Sequence, residues 1–176
     1  MKTYNYLLPG FLLFLLIFSA CTEKQVTNPL IASETIIASE MPSEENSKMF
    51  IETMQTHLDA VTNRDLETLK QTLSPNGNMQ LILPGTETTN TVDEFMQYHK
   101  DWFASPNWTF ETKILNTEIG TEMGMAVTEI VYREPLRDGK PYFNRMIVSY
   151  DLKMINGKWF VIKDHASSVE KSTDKK

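Results

Sequence analysis

The stretch Met123–Ala166, MGMAVTEIVYREPLRDGKPYFNRMIVSYDLKMINGKWFVIKDHA, decides the fold. Asp138-Gly139 and Asn156-Gly157 divide it into three alternating runs, Met123–Leu136, Tyr142–Ile155 and Lys158–Ala166. Asx-Gly pairs between such runs favour two-residue hairpin turns, because both central positions need positive φ and glycine takes it freely. Two hairpins in succession make an antiparallel meander. Trp108–Leu115 also alternates and adds a strand ahead of it.

Upstream, the apolar period lengthens. Phe50, Met54, Leu58 and Val61 recur at helical spacing across Glu44–Asn63, and Leu66, Leu69 and Leu73 suggest a second, short helix. Pro75-Asn76-Gly77 ends it, and Met79–Leu83 reads as a first strand stopped by Pro84-Gly85. Thr91 and Glu94 form a capping box for a third helix. Its stripe is Val92, Phe95, Met96, His99, Trp102 and Phe103, and Pro106 closes it. Helices first and a meander after predict an α+β domain with helices packed on one face of the sheet.

Further out, Met1–Asn5 carries one positive charge and no negative one, and Leu7-Leu8 with Phe11–Phe18 form an apolar run ending at Ser19-Ala20-Cys21. That is the plan of a secretory signal. A spanning helix needs roughly 20 apolar residues, and Pro9-Gly10 interrupts a run already too short. Phe18-Ser19-Ala20-Cys21 resembles the lipobox of bacterial lipoproteins, with Phe18 where leucine is commoner. The resemblance implies a diacylated Cys21 as the mature N-terminus. A membrane is then a partner through the lipid, on the non-cytoplasmic side of the cell envelope or at the outer membrane. Cys21 is the only cysteine, so no intrachain disulfide exists.

The segment that follows is rich in Ser, Thr, Glu and Asn and repeats Ile-Ala-Ser-Glu at 31–34 and 37–40, as a flexible spacer does. The expected organisation is a signal at 1–20, a lipidated tether at 21–45, a domain at 46–169 and a polar tail at 170–176. Glu23, Glu34, Glu40, Glu44 and Glu45 against Lys24 place −4 of the net −6 in the tether region. Lys2 adds one positive charge, so only −3 remains for everything else. A near-neutral domain offers no basic face for nucleic acid.

Four segments carry a family resemblance: Met49-Phe50-Ile51-Glu52, Asp59–Leu69, Leu81-Ile82-Leu83-Pro84-Gly85 and Asn156–Ser167. Over about residues 46–169 the chain resembles the nuclear transport factor 2-like superfamily, on its SnoaL-like side. The resemblance implies a conical helix-and-curved-antiparallel-sheet domain, a cystatin-like α+β roll, with a pocket at its wide end and often a homodimer. The family includes isomerases, cyclases, hydrolases, dehydratases and non-enzymatic modules, so fold alone settles no chemistry. In the ketosteroid isomerase branch a catalytic aspartate stands at the end of the first strand, before a Pro-Gly. Here Leu83 occupies that place and cannot accept a proton. Related domains of unknown function end Trp-x-Ile-x-His-Asp/Glu-His-x-Ser, and here Lys163 replaces the first histidine and removes a His-x-His metal pair.

Regular two-residue turns set Glu129 opposite Val148, and Val148 opposite His165. One face then carries Met125, Val127, Glu129, Val131, Met146, Val148, Tyr150, Leu152, Met154, Trp159, Val161, Lys163 and His165. The other carries Thr128, Ile130, Tyr132, Arg145, Ile147, Ser149, Asp151, Ile162 and Asp164. The first is the more continuously apolar and is expected to meet the helices. The expected ligand pocket is lined by His99, Trp102, Glu129, Tyr150 and His165. Glu129 and His165 are the candidate catalytic acid–base pair, since burial among apolar neighbours raises a carboxylate's pKa. The competing reading for Glu129 is a solvated carboxylate toward the open end of the sheet, or one paired with Lys163 or with a helix.

His99 and His57 read most simply as hydrogen-bonded core residues. Three histidines and Glu129 show no local ligand spacing, so neither metal nor cofactor is expected. Asp164, His165 and Ser167 are triad ingredients, but Asp164 and His165 point to opposite faces. Trp102, Trp108 and Trp159 read as core, with Trp102 the best pocket wall. Tyr132 with Arg145 fits a cation–π contact at a dimer interface as well as a ligand role. Three functions compete: binding of a small, largely apolar molecule, acid–base catalysis on such a molecule, and a dimeric interaction module with a filled pocket.

Overall fold

The structure is a computed structural model that describes residues 43–174 apart from Thr86 and Pro106. The signal, Cys21 and nearly all of the tether lie outside the described residues. Helix α1 (Glu44–Asn63) starts where the Ser43 hydroxyl accepts the Asn46 N–H at 3.1 Å, with Glu44 and Glu45 in its first turn. Its buried stripe includes Phe50, Met54, His57, Leu58 and Val61, and Arg64 in the left-handed region ends it. Helix α2 (Leu66–Gln71) follows, capped by Asp65. Helix α3 (Val92–Phe103) starts at the expected box: Thr91 accepts the Glu94 N–H at 3.2 Å. The Glu94 carboxylate reaches back one residue further, to the Asn90 N–H, at 2.7 Å.

Six strands form one sheet: β1 (Asn78–Ile82), β2 (Thr88–Thr91), β3 (Thr109–Ile119), β4 (Met123–Arg137), β5 (Lys140–Ile155) and β6 (Lys158–Lys171). Their order is β2-β1-β6-β5-β4-β3. The meander is as expected, and both Asx-Gly turns have positive φ at each central residue. Three features depart from the sequence reading. Thr88–Thr91 is a short strand paired with β1, and β1 pairs with β6 in parallel, so the sheet is mixed. At the C-terminus, β6 runs to Lys171, two residues into the segment expected to be tail.

The larger departure is in register. At the β4–β5 turn Arg137 faces Lys140 as expected, but from Glu134 onward every pair is displaced by one, because Pro135-Leu136 bulge against a single residue of β5. On β6, Leu152 faces Val161 but Asp151 faces Lys163, which leaves Ile162 as a second bulge. Side chains alternate, so each one-residue slip exchanges the faces beyond it. The β5 assignment survives: Met146, Val148, Tyr150 and Leu152 are buried in the core. Beside them on β4 lie Ala126, Thr128, Ile130 and Tyr132, with Asp164 and Ala166 on β6. Met125, Val127, Glu129, Val131 and His165 belong to the opposite face.

The core lies between this inner face and the three helices. At its closed end Phe50 and Trp159 meet edge-to-face at 5.1 Å, and the Trp159 indole N–H donates to the Asn46 side chain at 2.9 Å. Gly124 lets the sheet approach α1 there: a Cβ on it would stand 2.6 Å from the Phe50 ring.

Candidate functional site

Away from that closed end, the inner face and the helices enclose a cavity of about 370 Å³. From α1 it receives His57 and Val61, and from α3 it receives Tyr98, His99 and Trp102. The sheet contributes Leu81, Phe110, Ile130, Tyr132, Met146, Val148, Tyr150, Asp164 and Ala166. Leu83, Pro84, Glu87, Arg137, Tyr142, Asn144 and Lys171 complete the lining, from the ends of strands and the β1–β2 loop. The walls combine aliphatic and aromatic side chains with polar and charged ones, His57, Glu87, His99, Arg137, Asn144, Asp164 and Lys171, as a small-molecule site does.

Of the five expected pocket residues, the structure brings His99, Trp102 and Tyr150 together at this cavity and separates Glu129 and His165 from it. Glu129 is on the outer face, accepting from Arg145 at 3.2 Å with 35% of its side chain exposed. His165 is exposed, opposite Ser149. The Pro135-Leu136 and Ile162 bulges are the cause: they turn both side chains outward together. The same slips separate Tyr132, which faces inward opposite Asn144, from Arg145 on the outside. Asp164 and His165 do point to opposite faces, so no triad forms. Among the described residues, no three His, Cys, Asp or Glu side chains gather as a metal site.

Asp164 is the titratable residue that the inversion brings in. It is 5% exposed, between Leu81 of β1 and Tyr150 of β5 on the inner face. Burial pushes its carboxyl well above the usual range, and only the Ile82 backbone N–H opposes this. Its Oδ1 has no hydrogen-bond partner among the described residues. Tyr150 and Tyr98 are both raised by desolvation first and then by the charge of neighbouring acids, Asp164 for Tyr150, and Glu87 with Asp164 for Tyr98.

The two cavity histidines are buried and neutral. His57 is lowered to about 3, by burial and then by His99, and His99 to about 4 by burial. His57 Nδ1 lies 2.8 Å from Thr72 Oγ1, and that hydroxyl donates to the Leu69 carbonyl at 2.7 Å. His99 Nδ1 lies 2.9 Å from the Phe95 carbonyl. Both are hydrogen-bonded core histidines and cavity residues at once. Toward the outer end, Trp102 stacks on Trp108 at 4.4 Å. Arg137 ion-pairs with Glu134 and lies 3.6 Å over the Tyr142 ring.

Asp164, His57 and Tyr98 were not among the pocket residues expected from sequence. Pro135 was the available signal, since proline inside a run read as a strand marks an edge or a bulge. Ile162 carries no comparable mark.

No curated protein matches the chain at the level of sequence. Solved structures resemble its fold at low identity. The hexachlorocyclohexane dehydrochlorinase LinA-type3 of Novosphingobium barchaimii superposes with a TM-score of 0.62 at 12% identity, covering 72% of this chain and 88% of that one. A ketosteroid isomerase-like protein from Erwinia carotovora gives 0.59 at 15%, covering 73% and 98%. A cystatin-like-fold protein of unknown function from Nostoc punctiforme gives 0.59 at 12%, covering 73% and 94%. These likenesses establish the fold. Residues 51–170 match the model of the SnoaL-like domain, and the chain therefore belongs to the SnoaL-like family.

Proposed function

We propose that this domain binds a small, largely apolar molecule in the cavity between α1, α3 and the inner sheet face. The observation that carries the reading is an aromatic-walled space of about 370 Å³ with a buried carboxyl oxygen, Asp164 Oδ1, that has no hydrogen-bond partner among the described residues. A packed core of the same composition leaves no such volume, and a buried polar atom without a partner costs roughly 1–3 kcal/mol. The test is native mass spectrometry of the full chain incubated with small apolar compounds, beside Ala166→Phe, which fills the cavity from a 5% exposed position. A stoichiometric adduct on the parent that disappears in the variant is expected. Equal adducts on both, or none on either, overturn the reading.

A second reading, acid–base catalysis on the same class of molecule, is favoured by one observation. Burial favours the protonated form of Asp164 and the neutral forms of His57 and His99 in the lining of one cavity, an arrangement in which one group donates a proton and the others accept. The ketosteroid-type base position remains Leu83. Turnover by the parent that falls in Asp164→Asn by far more than binding does separates this reading from the first.

The proposal extends to the setting: lipid anchoring through Cys21 in the cell envelope, and pairing of two copies. Metabolic labelling with a fatty acid is expected to mark the parent chain, with Cys21→Ser unlabelled and unprocessed. An unlabelled parent removes the anchor from the proposal.

A further inference from the structure

The deep end of the cavity has a hydrogen-bonding sense that follows from its geometry. Thr72 has one hydroxyl proton and gives it to the Leu69 carbonyl, so His57 must donate its Nδ1–H to Thr72 Oγ1. The Phe95 carbonyl can only accept, so His99 likewise carries its proton on Nδ1. Both rings line the cavity, whereas Thr72 and Phe95 do not. The polar atom each ring has left is therefore Nε2, a bare lone pair, on a residue that lines the cavity. Asp164 Oδ1 is the third group there, nine-tenths buried and without a partner among the described residues. Tyr150 links the set, edge-on to His57 at 5.5 Å and opposite Asp164 in the ladder, and Tyr98 lies edge-on to His99 at 5.4 Å. Two acceptors and a carboxyl call for a ligand group rich in donors. An alkyl ammonium brings three N–H bonds, and as it binds, Asp164 releases its proton to solvent, so that the ligand's charge becomes the partner the ionised carboxylate needs.

Resting on the ligand-binding reading above, we infer that the cavity selects apolar amines, held as ammonium against Asp164 with His57 and His99 Nε2 accepting N–H bonds. The other charges at the cavity permit this. Glu87 adds a negative charge to the lining, and Tyr98 and Trp102 add aromatic rings to it. The two cations of the lining belong to its outer end. Arg137 is already committed to Glu134. Lys171 faces Asn144, six residues along β5 from Tyr150, or about 20 Å at roughly 3.3 Å per residue. A carboxylate or sulfonate placed at Asp164 would instead meet two lone pairs and a second acid.

The test is calorimetric titration of the full chain at neutral pH with 2-naphthylmethylamine, 2-naphthalenemethanol and 2-naphthoate, which share a ring system and differ in charge. The amine is expected to bind about tenfold or more tightly than the alcohol, as charge-assisted hydrogen bonds of this kind allow, and the carboxylate most weakly. Asp164→Asn is expected to remove the preference, so that the variant binds amine and alcohol with similar affinity. Alcohol or carboxylate binding as tightly as amine overturns the inference while leaving the cavity a ligand site. So does an amine preference that survives in Asp164→Asn. If none of the three binds, the ligand-binding reading falls as well. Should the variant fail to fold, the order of affinities in the parent still decides.

Discussion

At the residue scale Asp164 and the two histidines load the fold in opposite directions with pH. Asp164 holds its proton longer folded than unfolded, so its contribution falls as pH rises above the ordinary carboxylate range. Asp164→Asn is accordingly expected to raise stability at pH 8, on the order of 1 kcal/mol, and to change little at pH 3. Urea midpoints at the two pH values check this, and an Asn variant that is less stable at pH 8 contradicts the buried neutral acid. The histidines act the other way. Unfolded, they bind protons below about 6.5, whereas folded His57 and His99 resist until about 3 and about 4. Stability should fall as pH drops through that window, by up to about 1.4 kcal/mol per pH unit for each ring. His99→Gln keeps a donor for the Phe95 carbonyl and should roughly halve the slope between pH 6 and pH 4.5. An unchanged slope would show that His99 is not protected from protonation.

At the scale of elements, register governs the chemistry. Bulges on β4 and β6 turn Glu129 and His165 out of the apolar interior and turn Asp164 into it. Glu129→Gln therefore removes only a half-exposed ion pair with Arg145, of a kind worth roughly 0–1 kcal/mol. Its thermal midpoint and cavity-ligand affinity are both expected to match the parent's closely. A marked fall in affinity with stability intact would return Glu129 to the site and contradict the observed pairing. The β5 strand was readable because its inner positions, Met146, Val148, Tyr150 and Leu152, alternate with Ile147, Ser149 and Asp151, a clear contrast over most of its length. On β4 the two sets, Met125-Val127-Glu129-Val131 and Ala126-Thr128-Ile130-Tyr132, are almost equally apolar. Only the turn geometry then fixed the faces, and Pro135 altered it.

At the scale of the whole molecule, the outer sheet face is the surface on which we place a second copy. Val127, Val131 and Ile147 are half-buried there, and Glu129, Arg145 and Glu170 form a partly exposed ion-pair chain. Light scattering of the chain at high micromolar concentration is expected to give twice the monomer mass, and Ile147→Asp to return it toward one. A monomer mass for the parent withdraws the pairing. What the sequence by itself determined was most of the elements: the three helices, from apolar period and capping residues, and the meander, from two Asx-Gly turns. The SnoaL-like character was legible as well, in local segments such as Leu81–Gly85 and Asn156–Ser167. These signals are local, carried by residues within a turn or two of each other. Tertiary structure alone decided the parallel β1–β6 pair, the faces of β4 and β6, and hence that Asp164 rather than Glu129 stands in the cavity. Those features depend on partners far apart in the chain, and a one-residue bulge exchanges the faces beyond it while leaving composition and period almost untouched.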